Sequence, residues 1–195
     1  MRELRALSTE RELLLIADEV QTGIGRCGRA FAYELFDIEP DLMTLAKGIG
    51  GGVPLAALLC KERFNCFELG DQGGTYCGNP LMAAAGLVVV NEVCRDAFLE
   101  DVRRRGQHLA SGLQQIVREH HLLGERGAGL LRALILPTDR AEAVVAAARN
   151  LAPIGLLLNA PRPNLLRLMP ALTISETEID EALGMLRTVL REALS

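Results

Sequence analysis

Of the 21 basic residues in this 195-residue chain only two are lysines, Lys47 and Lys61, and Lys47 sits in Thr44-Leu45-Ala46-Lys47-Gly48-Ile49-Gly50-Gly51-Gly52. Arginine keeps its proton at neutral pH. A desolvated lysine can release its proton, and the free amine can then attack a carbonyl. The apolar residues before Lys47 are expected to bury the amine, and the glycines after it to let a flat ligand approach the backbone. Taken alone, Lys47 reads more readily as a lysine snorkelling beside a flexible loop; the rest of the chain shifts the balance. Asp18 closes another apolar run, Leu13-Leu14-Leu15-Ile16-Ala17. The end of a buried strand is where α/β sheets present ligands. Its plain alternative is a capping or solvated aspartate.

The segment Gly23-Ile24-Gly25-Arg26-Cys27-Gly28 spells G-x-G-x-x-G, with Asp41 further on, the outline of a dinucleotide fingerprint. Three features oppose that reading. Asp18-Glu19-Val20-Gln21-Thr22 separates the strand from the first glycine. Two carboxylates at that mouth would repel a pyrophosphate. The helix that should receive the phosphates is short and runs into Asp37, Glu39, Pro40 and Asp41. The five cysteines show no C-x-x-C spacing and the three histidines offer no zinc set. Scattered thiols in odd number fit a reducing cytoplasm. A net charge of −4 and a pI near 5.5 argue against nucleic-acid and anionic-membrane partners. The run Arg103-Arg104-Arg105 reads as a solvated helix face. No signal-peptide core follows Met1, and no apolar run reaches the roughly 20 residues that span a bilayer. With 49% hydrophobic residues and a mean hydropathy of +0.20, the chain can fill a core and leave apolar surface to bury against a subunit or further chain.

The pattern predicts the following elements. A polar helix covers 3–11. Leu13 to Ala17 is a strand buried on both faces, as in a parallel sheet. A short helical piece covers 31–36. Leu42 to Leu45 is a strand leading into Lys47, and Leu55 to Leu59 is another apolar run. A helix over 79–95 is capped by Asn79 with Pro80 at its first position, and buries Ala83, Ala84, Leu87 and Val88. The second half predicts a helix from Val102 to His121, a strand from Leu130 to Leu136, an Ala-rich helix over 138–149, and short strands at Leu156 to Leu158 and Leu165 to Leu168. Ser175 and Glu178 form a capping box opening a helix to Leu194. Two α/β lobes result, the second with a small mixed sheet, divided near residue 100.

A carboxylate and a deprotonatable lysine, each closing an apolar strand, suit pyridoxal phosphate. That cofactor needs a lysine for its Schiff base and a carboxylate to keep its ring nitrogen protonated. The stretch Leu14-Leu15-Ile16-Ala17-Asp18-Glu19-Val20-Gln21-Thr22-Gly23-Ile24-Gly25-Arg26-Cys27-Gly28 resembles the signature of class III (ornithine-type) aminotransferases. So do Pro40-Asp41 and Leu45-Ala46-Lys47-Gly48-Ile49-Gly50-Gly51-Gly52-Val53-Pro54. Gly70 to Leu81 and Asn164 to Leu172 are similar to later family segments, and Gly155 to Pro170 is most similar to the acetylornithine branch. The resemblance covers essentially the whole chain.

The resemblance implies a fold-type I pyridoxal-phosphate transferase. Residues 1–100 would be the C-terminal part of its cofactor-binding large domain, a mostly parallel sheet with helices, and 101–195 its small C-terminal domain. By the same resemblance Asp18 pairs with the pyridine nitrogen and Gln21 lies by the 3-hydroxyl. Lys47 forms the Schiff base and shuttles the proton. Thr75 reaches the phosphate across a homodimer interface, Gly74 lies beside the substrate, and Arg167 binds a substrate carboxylate. Without the flanking motifs, Arg167 would read as a surface salt bridge and Thr75 as a loop threonine. Cys77 departs from the family pattern. The implied reaction passes an amino group from N-acetylornithine to 2-oxoglutarate; succinylornithine, ornithine and 4-aminobutyrate are alternative donors. Family members are longer, and the phosphate-holding loop and ring-stacking aromatic would lie in their other half. The 195 residues by themselves are therefore expected to bind cofactor weakly and turn over no substrate. A non-catalytic remnant that pairs with a full-length subunit is the rival reading.

Overall fold

The computed structural model describes residues 1–194 and divides into two compact units, Met1–Leu99 and the residues from Glu100 onward. The first unit contains α1 (Arg2–Glu10), β1 (Ile16–Asp18), β2 (Leu42–Leu45), β3 (Ala57–Cys60) and α2 (Pro80–Val93). Its sheet has the order β1-β2-β3. β1 and β2 run parallel, with Ile16 opposite Leu42 and Asp18 opposite Thr44, and β3 returns antiparallel. The C-terminal ends of β1 and β2 are therefore neighbours. Along β2, Met43 and Leu45 are buried while Leu42 and Thr44 are half-buried, so Thr44 faces away from the core side of the strand.

β1 is shorter than predicted and is not buried on both faces. Leu13, Leu14 and Ile16 are exposed: an apolar run sets the strand's composition, while burial on both faces needs a packed layer on each. α2 is capped as predicted: the Asn79 carboxamide accepts from the Leu81 and Met82 amides at 3.0 and 3.3 Å, with Pro80 following. Its buried face is not the predicted one. Ala83, Ala84, Leu87 and Val88 are exposed, whereas Gly86 and Val93 are buried. A helix apolar nearly all round selects no face by hydropathy; here Gly86 selects it. A Cβ at Gly86 would lie 2.3 Å from Leu55 Cδ2 and 3.4 Å from the Ile49 carbonyl. Glycine here lets the helix pack closely on the segment that follows Lys47, and any larger residue would require Leu55 to move.

β2 starts from an ionic cluster built around a buried carboxylate. The Asp41 side chain is 1% exposed and accepts from the Leu15 amide at 2.9 Å, Arg5 Nη1 at 2.7 Å and Arg63 Nη2 at 3.1 Å. Lys61 Nζ lies 3.8 Å away. The Leu15 amide first, and then the Arg5 guanidinium, lower the Asp41 carboxyl from 3.8 to about 2, against the opposing effect of burial. Because the folded-state value is depressed, the cluster contributes stability above about pH 4, and that contribution is lost as pH falls toward 2. Asp41→Asn should cost about 2 kcal/mol, since a neutral amide weakens the buried side chain's bonds to the Leu15 amide and to the Arg5 and Arg63 guanidiniums. It should also flatten the fall of the urea midpoint between about pH 4 and 2. An unaltered midpoint and acid limb in the variant would show that another group carries this dependence.

One helix, α3 (Asp96–Glu119), runs across the division and starts six residues before the predicted Val102. It is followed by β4 (Gly124–Ala128), β5 (Leu131–Ile135), α4 (Ala141–Arg149), β6 (Asn159–Arg162), β7 (Leu165–Leu168) and α5 (Glu176–Leu194). The sheet order is β4-β5-β7-β6 and every pair is antiparallel, not mixed as expected. β4, Gly-Glu-Arg-Gly-Ala, has no apolar alternation to announce it. It is held by its ladder to β5 and by the buried Arg132–Glu125 pair at 3.0 Å. Leu156 to Leu158 form no strand; pairing with β7 begins at Asn159. Val102, Leu113, Ile116, Leu134, Val144, Leu166, Leu186 and Val189 are fully buried and form this unit's core. The capping box is present: the Ser175 amide donates to Glu178 Oε2 at 2.7 Å and the Glu178 amide to Ser175 Oγ at 3.2 Å. Among the described residues no helix is long and apolar enough to cross a membrane.

Candidate active site

The carboxylate comes from the last residue of β1. Asp18 Oδ1 accepts from the Val20 amide at 3.1 Å, closing an Asx turn, and from the Thr44 hydroxyl across the strand pair at 3.1 Å. Both bonds end on Oδ1, which leaves Oδ2 for a ligand's proton. Asp18 is exposed, not buried as its apolar run suggests, because it sits at the open end of an edge strand.

Glu19, the next residue, points to the other face and is only 4% exposed. Its Oε1 accepts from the Tyr33 amide at 2.9 Å and its Oε2 from the Thr22 hydroxyl at 2.5 Å. Its own amide donates to the Thr44 carbonyl at 3.0 Å, and its carbonyl accepts from the Gly23 amide at 2.9 Å. Glu19 thus pins the turn that carries Gln21, which is half-buried. A Cβ at Gly23 would lie 2.8 Å from the Glu19 carbonyl, so this glycine serves the close turn after Asp18 rather than a pyrophosphate. Asp41, the acid of the rejected dinucleotide reading, is committed to its ionic cluster.

The amine comes from the end of β2. Ala46 leaves the strand and Lys47 opens a 3₁₀ turn, Lys47–Gly50, with φ +49°. A left-handed backbone is uncommon for a residue with a side chain, and such positions cluster at functional sites. Ile49 and Gly50 take the buried places of the turn, so the Lys47 side chain is exposed rather than buried in the apolar run as expected. Asp18 and Lys47 therefore stand at the same end of two neighbouring parallel strands. A carboxylate with one oxygen already tied, beside an accessible primary amine, is a donor set that can hold a protonated ring nitrogen and link covalently to an aldehyde. These are the two protein groups pyridoxal phosphate requires at its ring.

The other candidates lie elsewhere. Gly74 and Thr75 are on the exposed segment between β3 and α2, where the Cys77 amide donates to the Gly74 carbonyl at 3.0 Å. A Cβ at Gly74 would lie 2.7 Å from Cys77 Sγ, so the unusual cysteine's sulfur lies against this glycine. Arg167 belongs to the second unit, on β7, half-buried, opposite Ala133 of β5 and Asn159 of β6. Thr44 and Glu19 went unrecognised in the sequence. A signal existed for each: Thr44 is the one polar residue of β2, and Glu19 alternates with Asp18.

The Aminotransferase class-III family matches residues 1–190, and the chain belongs to that family. It is 57% identical over 191 residues to the acetylornithine aminotransferase of Ralstonia nicotianae, covering 98% of this chain and 48% of the relative. It is 55% identical over 190 residues to acetylornithine aminotransferase 2 of Bordetella parapertussis, covering 97% and 48%. The solved N-acetylornithine aminotransferase of Stenotrophomonas maltophilia superposes with a TM-score of 0.85 at 32% identity, over 99% of this chain and 51% of that one. The fold is that of the fold-type I pyridoxal-phosphate aminotransferases, and the chain spans about half the length of the relatives it matches.

Proposed function

We propose that these residues supply the ring-binding carboxylate and the reactive lysine of a transaminase that moves the amino group of N-acetylornithine to 2-oxoglutarate. The observation that carries the reading is the placement of Asp18 and Lys47 at adjacent strand ends, within a sequence 57% identical to an acetylornithine aminotransferase. The cofactor, when bound, supplies an aldehyde and an electron-accepting ring. Asp18 Oδ2 holds the ring nitrogen's proton. Lys47 anchors the cofactor covalently and then carries the proton removed from the substrate's Cα. Gln21 would hold the cofactor's 3-hydroxyl. Thr75 serves the phosphate of a partner subunit in a homodimer, and Gly74 lines the substrate path. Arg167 holds a substrate carboxylate, a task that suits its planar two-pronged fork. Residues 1–100 act as the C-terminal part of the cofactor-binding domain and 101–195 as the small domain of a cytoplasmic enzyme of arginine biosynthesis.

The test uses the holoenzyme: this sequence within a chain of its relatives' length, loaded with pyridoxal phosphate. Glutamate should form from N-acetylornithine and 2-oxoglutarate faster than from ornithine or 4-aminobutyrate as donor. Preference for either of the latter would reassign the substrate. Arg167→Lys should raise the KM of both donor and 2-oxoglutarate by roughly tenfold, because a point charge replaces a bidentate pair. Unchanged KM values for both would place Arg167 outside the pocket.

A further inference from the structure

We infer that Thr44 is a positioning residue for the reaction: it fixes the orientation of the Asp18 carboxylate so that Oδ2 meets the cofactor ring nitrogen. The inference rests on the proposed role of Asp18. The Asx turn alone ties Oδ1 to its own chain two residues on, and a local turn moves with the loop it belongs to. The bond from Thr44 Oγ1 at 3.1 Å reaches across from the neighbouring strand. It is set by the parallel register that pairs Asp18 with Thr44. Two donors, one from the turn after β1 and one from β2, hold Oδ1 from two directions and restrict rotation of the carboxylate more than the turn amide does alone. Threonine suits the task because its branched Cβ restricts χ1, so the hydroxyl is aimed before a ligand arrives. The polar residue also occupies the non-core side of a strand whose alternate positions are buried, where its hydroxyl adds nothing to core packing. The same residue's carbonyl accepts from the Glu19 amide at 3.0 Å, which keeps the two strand ends in step.

The experiment compares Thr44→Val, Thr44→Ser, Asp18→Asn and Thr44→Val/Asp18→Asn with the parent holoenzyme. Three quantities are read: kcat, the KM of the amino donor, and the circular dichroism of the bound cofactor's visible band, which reports ring tilt. Thr44→Val should lower kcat roughly tenfold, as expected for loss of a hydrogen bond to a charged group. KM should stay within about twofold, since the substrate's own contacts are untouched. The cofactor dichroism should change, and Thr44→Ser should restore both readouts. In the Asp18→Asn background, Thr44→Val should add little further loss, because the two residues act as one unit. A parent-like kcat and dichroism in Thr44→Val would overturn the inference. So would an equal loss in both backgrounds, which marks a merely structural threonine. If Asp18→Asn alone keeps the parent rate, it is the role of Asp18 that fails, and that outcome is read separately from the single Asp18 variant.

Discussion

Lys47→Ala is expected to abolish transamination and to remove the visible absorption band of the covalently held cofactor. Alanine has no amine to make the link or to carry the substrate's proton, and a loss on the order of ten-thousandfold or more is characteristic of a missing covalent group. Lys47→Arg should fail as completely, because the guanidinium keeps its proton at neutral pH. The chain's other lysine cannot substitute. Lys61 Nζ lies 3.0 Å from Glu39 and 3.8 Å from Asp41, and these carboxylates hold it in an ionic cluster. Turnover retained by either variant would remove Lys47 from the chemistry.

Asp18→Asn should keep the fold and the cofactor but lose on the order of a hundredfold in kcat. Asparagine preserves the shape and an oxygen that can accept from the Val20 amide and the Thr44 hydroxyl, as Asp18 Oδ1 does. What it cannot do is balance a protonated ring nitrogen with negative charge, and that balance matters most as electrons flow into the ring. A variant with the parent's rate would make Asp18 a turn residue only.

The candidate site was readable in large part because its two groups are exceptions to their surroundings. Lysine in an arginine-rich chain, and a carboxylate directly after an apolar run, are visible in one dimension. Their exposure was not, since an apolar run gives the strand's composition but not whether its neighbours cover both faces. Likewise Ala83, Ala84, Leu87 and Val88 looked like a core face of α2, yet the helix is apolar nearly all round and docks through Gly86. β4 stayed hidden because Gly-Glu-Arg-Gly-Ala becomes a strand through pairing with β5, not through its own propensity. Asp41 and Glu19 show the same limit for polar groups. Each is buried by partners far along the chain, such as Arg5 and Tyr33, and no local pattern foretells a buried carboxylate. Caps behaved oppositely: Asn79-Pro80 and Ser175 with Glu178 act within one turn, so they were legible and formed as read.

The measurement that bears most directly on Lys47 as the cofactor's lysine is chemical mapping. The holoenzyme is reduced with borohydride, which makes the lysine–cofactor link permanent, then digested, and the labelled peptide is sequenced by mass spectrometry. The label is expected on Lys47, in the peptide containing Leu45-Ala46-Lys47-Gly48-Ile49. A label on Lys61 or on a lysine outside these 195 residues, with Lys47 unmodified, would contradict the account.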